Sequence, residues 1–313
     1  MNLLQVNDPH LADSPPKYRK ETYMEDILVK MEEISGIVRD TKTDVVIIVG
    51  DLFHTKAANR VSHRLVQEVM RILSSYGVDV FITPGNHDLS SGNLESIKKQ
   101  PLGVVGKCPN VHVIVGNLTI QGVKFVFVPG TADVLGGLCE KVLLDTYDPG
   151  DVLVFHGSLE KKPAIYPHIL PTSPALMNRY NVVLYGHIHD YHGVYTIGKT
   201  TFCNVGAISR GSLKESDMGR RPKVLSVRLS DSGVFSSSQE IVLQSAKAPV
   251  EVFKVVEAFR DKSKADGIDA FVKAMESSEL AFVDITSIVA SVKESDMEPA
   301  VKQEIISILE VVE

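Results

Sequence analysis

The chain has 313 residues and a formal net charge of −6, which suits one large domain or a domain with an appendage and excludes a protein that holds nucleic acid through a uniformly basic surface. Bound divalent cations do not enter that charge count, so nucleic-acid chemistry stays open. The three cysteines, Cys108, Cys139 and Cys203, are far apart in the chain and match no zinc or redox spacing, which marks them as small buried side chains in a reducing compartment.

The opening segment "MNLLQVNDPH" runs straight into a strand-like stretch, Leu3–Val6, with neither a basic n-region nor an apolar h-region of an export signal. Tyr23, Ile27, Met31, Ile34 and Val38 recur at three- and four-residue steps and predict a helix. Val45–Val49 is a second strand, Leu65, Val69, Ile72 and Leu73 mark a second helix, and Val78–Ile82 is a third strand. The runs Val111–Val115, Phe125–Val128, Val152–Phe155 and Val182–Tyr185 follow. All are rich in Val and Ile and nearly unalternated, as strands buried on both faces read. Strand and helix in alternation predict an α/β layer fold with crossovers. "VHVIVGNLTIQGVKFVFVPG" reads instead as a hairpin about Gln121-Gly122.

After about Ser212 the texture changes. "RRPKVLSVRLSDSGVFSSSQEIVLQ" predicts two strands about Asp231-Ser232-Gly233 that complete a second sheet, and "SAKAP", Ser245 to Pro249, predicts a linker. This divides the chain into a domain over 1–244 and a helical region over 250–313. Val252, Val256 and Phe259 share one face of that region, and Ile305, Ile306, Leu309 and Val312 mark a last helix. No apolar run approaches the roughly 20 residues that span a bilayer, so a cytoplasmic protein without membrane contact is expected.

The chemistry sits just after the apolar runs. In order, they end in Asp8-Pro9-His10, in Gly50-Asp51-Leu52-Phe53-His54, in Gly85-Asn86-His87-Asp88, in His156-Gly157 and in Gly186-His187-Ile188-His189. Each motif alone also reads as a surface turn. Together they place Asp, Asn or His at five strand ends, where ligands of open α/β sheets collect. Asp8, His10, Asp51, Asn86, His156, His187 and His189 offer oxygen and imidazole donors and no thiolate. Such a set exceeds one tetrahedral zinc with an open position and suits two divalent ions sharing a carboxylate. The i, i+2 spacing of Asp8 with His10 and of His187 with His189 would, in extended backbone, point each pair to one side. His63, His112, His168 and His192 fall outside the motifs and read as surface or packing residues, with His192 close enough to the last motif to be an outer partner.

The order D-x-H, G-D-x-x-(D/H), G-N-H-(D/E), H, G-H-x-H resembles that of the calcineurin-like metallophosphoesterases over residues 1 to about 212. The resemblance implies a four-layer α/β-β/α sandwich of two mixed sheets, with two metal ions, manganese in the nucleases, at the strand tips. It implies Asp8, His10 and His189 as ligands of one ion, Asn86, His156 and His187 as ligands of the other, and Asp51 between them. His87 becomes an active-site histidine that is not a ligand. Where much of the family has Asp at the fourth position after the glycine, this chain has His54. That variant, with "GHIHDYH" and "RRPKVLSV", is similar to the SbcD-type exonucleases of double-strand-break repair. Asn204-Val205-Gly206-Ala207 departs from the Asn-Pro-Gly-Ser common in that branch.

The resemblance further implies DNA as substrate, a metal-activated water as nucleophile, His87 with His54 as proton donors, and a nucleoid-associated location. Its implied partners are an SMC-like (SbcC-type) ATPase and a second copy of the chain. The apolar stripes of 250–313 would serve such docking or packing on their own domain equally. Two rival readings stand beside the nuclease: a phosphodiesterase or phosphatase for small molecules such as cyclic nucleotides, and a non-catalytic scaffold with the same fold. Retention of the whole donor set and of His87 speaks against the scaffold.

Overall fold

The computed structural model describes residues 1–54, 61–162 and 168–255, with 289, 292–294, 302, 303 and 306 near the C-terminus. The helices expected from Val256, Phe259 and the terminal apolar stripe therefore lie outside the described residues, apart from these isolated positions.

Two six-stranded sheets form the framework. The first contains β1 (Asn2–Val6), β2 (Val45–Val49), β3 (Asp79–Thr83) and β4 (Val111–Val113), together with β11 (Lys223–Leu229) and β12 (Phe235–Val242), in the order β12-β11-β1-β2-β3-β4. β1 to β4 are parallel neighbours, and the first two crossovers are helices α1 (Tyr23–Asp40) and α2 (His63–Ser74). The second sheet contains β5 (Gly116–Ile120), β6 (Val123–Val128), β7 (Val152–His156), β8 (Val182–Gly186), β9 (Gly193–Ile197) and β10 (Thr200–Asn204), in the order β5-β6-β7-β8-β10-β9. This is the α/β sandwich of two mixed sheets expected from the strand pattern.

Period-two alternation along each strand divides its side chains between two cores. Val45, Ile47 and Val49 of β2 meet Phe125, Phe127, Val152, Val154, Val182 and Leu184 in one cluster between the sheets. Leu153 and Phe155 of β7 point the other way, into a second cluster with Val183, Phe202, Leu176 and Leu143 of the helix Cys139–Thr146. Unbroken hydrophobicity in the central strands follows from having both faces covered. All three cysteines are buried and free.

Two expectations are corrected. β11 and β12 do not complete the second sheet. β11 pairs antiparallel with β1, Leu3 opposite Val227, and so extends the first sheet while Leu225, Val227 and Leu229 enter the inter-sheet core. An alternating strand fits either sheet edge, and only the open edge of β1 decides. The predicted long hairpin is also split. Val111–Val113 joins β3 in parallel, and only β5 and β6 form the hairpin, turning at Gln121 (φ 49°) and Gly122 (φ 86°). Two positive φ values are what a type I′ turn requires.

The chain divides into two compact bodies, the first over Met1–Ser14, Met24–Arg210 and Arg221–Ala246, and the second over Pro15–Tyr23, Gly211–Arg220 and Lys247–Glu313. The second therefore draws on two short internal segments as well as the C-terminal region. Within it the buried Arg19 guanidinium lies 4.8 Å from the Tyr23 ring and 5.1 Å from the Phe253 ring, and its Nε donates to the Val252 carbonyl at 3.1 Å. Asp217 accepts from the Gly211 and Ser212 amides and pairs with Arg220 at 2.8 Å. Among the described residues no helix is long and apolar enough to cross a membrane.

Phe127 has no exposed surface in the inter-sheet core. Phe127→Ala is expected to lower the unfolding free energy by about 3–5 kcal/mol, through lost transfer energy and a residual cavity. Denaturant unfolding checks the value.

Candidate metal centre

Each predicted donor sits just beyond, or on the last residue of, a parallel strand. β1 ends at Val6, two residues before Asp8. β2 ends at Val49, two before Asp51, and β3 ends at Thr83, three before Asn86. His156 is the last residue of β7, and His187 follows the last residue of β8. Parallel strands in register deliver their ends to one edge, so positions distant in sequence meet.

The backbone at these tips is not extended. Asp8 (φ 47°), His10 (φ 53°), Asp51 (φ 48°) and His187 (φ 79°) all lie in the left-handed region. Convergence of Asp8 with His10 thus comes from sharp left-handed turns around Pro9, and the expected extended i, i+2 alternation is replaced. Such residues carry strain of order 1–3 kcal/mol each and persist where the surroundings over-determine them. Local pairing supplies part of that: the His10 amide donates to the Asp51 carbonyl at 2.8 Å, the Leu11 amide to Leu52 at 2.9 Å, and the His54 amide to Leu11 at 2.8 Å.

The expected donors form two groups with one member in common, and a third group joins His10 to His54 and His87. Asp8, His10, Asp51 and His189 have ligand atoms within 4.8 Å of one another, and so do Asp51, His156 and His187. His10 Nε2 is 2.8 Å from His189 Nε2 and 3.4 Å from Asp51 Oδ2. His156 Nε2 is also 3.4 Å from Asp51 Oδ2. Asn86 Oδ1 lies 3.2 Å from His156 Nε2 and 3.0 Å from His187 Nδ1, which adds it to the second group. His54 and His87 stand against the first group. His54 Nδ1 is 3.0 Å from His10 Nδ1, and the His54 and His87 rings stack at 4.6 Å with 20° between their planes. The His87 amide donates to Asp51 Oδ1 at 2.8 Å. The seven expected donors, with His54 and His87, are thus brought to one place.

Electrostatics within the cluster follow from burial and from Asp51. Burial would raise the Asp51 carboxyl, but the His156 and His10 imidazoles beside it outweigh this and hold it well below the usual carboxylate range. Burial alone would lower His156, yet the Asp51 charge, its hydrogen bond and Asp8 push it up to about 9. His187 is pushed down to about 3, first by burial and then by the His156 charge. His10 is held well below its ordinary value by burial, which exceeds the pull of Asp51. Facing imidazole nitrogens, a carboxylate common to both groups and an amide oxygen between two further nitrogens make a donor set that fits two divalent cations.

Sequence reasoning missed the residues that hold this set in place. Asn7, buried directly before Asp8, donates from Nδ2 to the Tyr185 carbonyl at 2.8 Å. Asn204, at the end of β10, donates to the Ile188 carbonyl at 3.0 Å, between His187 and His189, and accepts from the Gly206 amide at 2.6 Å. Ser209 Oγ donates to the Asp8 carbonyl at 2.8 Å. A signal existed for the two asparagines: both are polar residues at the ends of strands whose residues are mostly buried. Asp88 is 2% exposed, and burial together with the Asp51 charge pushes it up to about 7. His192 enters none of these groups; its Nδ1 lies 2.8 Å from the Tyr185 hydroxyl. Arg179 donates to the Tyr147 carbonyl at 2.6 Å.

A family model for calcineurin-like phosphoesterases matches residues 1–191, and the chain belongs to that family of metal-dependent phosphoester hydrolases. No curated protein matches it in sequence. Among solved structures, the crystal structure of TT1561 of Thermus thermophilus is similar at 14% identity, with a TM-score of 0.46 over 78% of this chain and 99% of that one. A likeness of that degree adds nothing to the family assignment.

Gly50 (φ 77°) packs so closely on His156 that a Cβ there would overlap the imidazole ring. Gly50→Ala is expected to weaken divalent-cation binding at this donor set by roughly tenfold or more, because the His156 ring must move. Isothermal titration of the purified protein checks this.

Proposed function

We propose that the chain is a manganese-dependent DNA nuclease of the SbcD type. The observation that carries the nuclease reading is His54, whose ring lies against both His10 and His87 at the rim of the donor set. A histidine there replaces the carboxylate found in much of the family and adds a second imidazole where the leaving group departs.

In this reading Asp8, His10 and His189 would hold one cation, Asn86, His156 and His187 would hold the other, and Asp51 is the residue common to both groups. When bound, the two cations would neutralise phosphate oxygens and lower the pKa of a water between them. The chain's own groups do the rest. A water that has given up one proton to solvent bonds through its oxygen to phosphorus in line as the bond to the 3′ oxygen breaks, and protonated His87 gives that oxygen its proton. His54, stacked on His87, shares this role. The His87 amide on Asp51 ties the proton donor to the bridging carboxylate, so both are positioned by one contact. An SMC-like (SbcC-type) ATPase docking on 250–313, and a second copy of the chain, complete the proposal. Co-purification with such an ATPase would support it.

Labelled single- and double-stranded DNA, bis-p-nitrophenyl phosphate and cyclic nucleotides, each in Mn²⁺ and in EDTA, test the reading. DNA is expected to be cleaved in Mn²⁺ and left intact in EDTA. Efficient cyclic-nucleotide turnover with untouched DNA would overturn it in favour of a small-molecule phosphodiesterase. His87→Ala is expected to cost about 10²–10⁴-fold in kcat, the range for loss of a general acid, while folding and metal content stay intact. Loss of metal in that variant would make His87 a ligand instead.

A further inference from the structure

Asp88 closes the "GNHD" stretch but has no place in the ligand set. Its carboxylate is buried and takes three backbone N–H groups. Oδ2 accepts from Gly85 at 2.9 Å and from Leu52 at 3.2 Å, and Oδ1 accepts from Phe53 at 3.0 Å. The first of these is local, three residues away, and would by itself only make a turn. The other two come from 36 and 35 residues earlier in the chain, in the loop that follows Asp51.

The two loops leave neighbouring parallel strands whose register ends with Val49 opposite Thr83. Beyond that pair, the Asp51 loop turns to the other side and pairs with the Asp8 loop through His10, Leu11 and His54. The Gly85 loop passes so close to Asp51 that a Cβ on Gly85 would overlap the Asp51 carboxylate and amide. It carries Asn86 and His87, and it holds the Asp51 loop through the His87 amide on Asp51 Oδ1 together with the two bonds of Asp88 to Leu52 and Phe53. One carboxylate therefore fixes the backbone on both sides of the bridging residue's neighbours: Leu52 and Phe53 immediately after Asp51, and Gly85 immediately before Asn86.

We propose that Asp88 is a positioning residue that clamps the tips of β2 and β3 together, so that Asp51 and His54 keep a fixed geometry against Asn86 and His87. This rests on the metal-centre reading above and deepens it: the last letter of "GNHD" acts through backbone amides and touches neither ion nor substrate. A neutral amide cannot replace it fully, because an Asn at this place offers one acceptor oxygen and turns an NH₂ group towards a further N–H donor.

The test uses the full chain as wild type, Asp88→Asn, Asp88→Ala and, as a control, Leu176→Ala in the core cluster on the outer face of the second sheet. Hydrogen exchange on metal-free protein reads the clamp directly. The Leu52, Phe53 and Gly85 amides are expected to exchange at least about tenfold faster in Asp88→Ala, with Asp88→Asn between it and wild type. Mn²⁺ affinity by isothermal titration is expected to fall roughly 10–100-fold in the same order. With bis-p-nitrophenyl phosphate at saturating Mn²⁺, kcat falls while KM stays near the wild-type value. Leu176→Ala is expected to lower Tm without moving the Mn²⁺ affinity or these amides. Wild-type exchange at all three amides in Asp88→Ala would overturn the clamp, whatever metal is bound. So would an equal loss of Mn²⁺ affinity in Leu176→Ala, which would make the effect one of general stability. Failure of wild type itself to bind Mn²⁺ would overturn the parent reading, while the exchange data still decide the clamp.

Discussion

A buried carboxylate held between two imidazoles is the constraint on which the rest of the site depends. Asp51 is 1% exposed, and its Oδ2 lies 3.4 Å from both His10 Nε2 and His156 Nε2. An ionised carboxylate so deeply buried needs compensating charge. Within the protein that compensation is uneven: His156 is driven to hold its proton, while burial keeps His10 neutral. Two cations, one on each side of Asp51, would balance the charge symmetrically and would take over the lone pairs of all the imidazoles that face inward.

Placing that carboxylate requires a backbone that ordinary strands do not supply. The dry run Val45–Val49 gives a rigid post with both faces packed, and the chain then breaks sharply at Gly50 and Asp51, both in the left-handed region. The strain recurs at Asp8, His10 and His187. It is offset by the apolar sandwich below and by a layer of buried amides and carboxylates around the tips. Asn7, Asn204, Ser209 and Asp88 bond chiefly to backbone groups of the ligand loops, not to the ligand side chains. The loops are thus fixed as backbone first, and the side chains inherit their directions.

The central strands and two long helices were legible because a strand buried on both faces and an amphipathic helix have one-dimensional signatures. The donor residues were legible for a related reason: strand tips are marked by the abrupt change from Val and Ile to Gly, Asp, Asn and His. The placement of β11 and β12 on the first sheet was not, since nothing in "KVLSVRL" distinguishes one open edge from another. Nor was the split between β4 and β5, because Val111–Val115 and the hairpin after it form one apolar texture. The left-handed turns at Asp8 and His10 escaped as well. A D-P-H triplet reads as extended, and only the pairing of His10 with Asp51 and of Leu11 with Leu52 bends it.

By itself the sequence determined which residues are chemical and in what order they come, since ligand types, glycines and strand ends are written locally. It also determined membership in the phosphoesterase family, because that order is the family's pattern. The partition of the donors was expected only through the family resemblance, and it is the tertiary structure that brings it about. His187 and His189 are two residues apart yet belong to different groups, while Asp8 and His189, 181 positions apart, belong to the same one. Spacing along a chain cannot express that partition, because it is set by sheet register and by the backbone turns at each tip. The same holds for Asp88, whose neighbours in sequence suggest a turn and whose contacts with Leu52 and Phe53 exist only because β2 and β3 lie side by side.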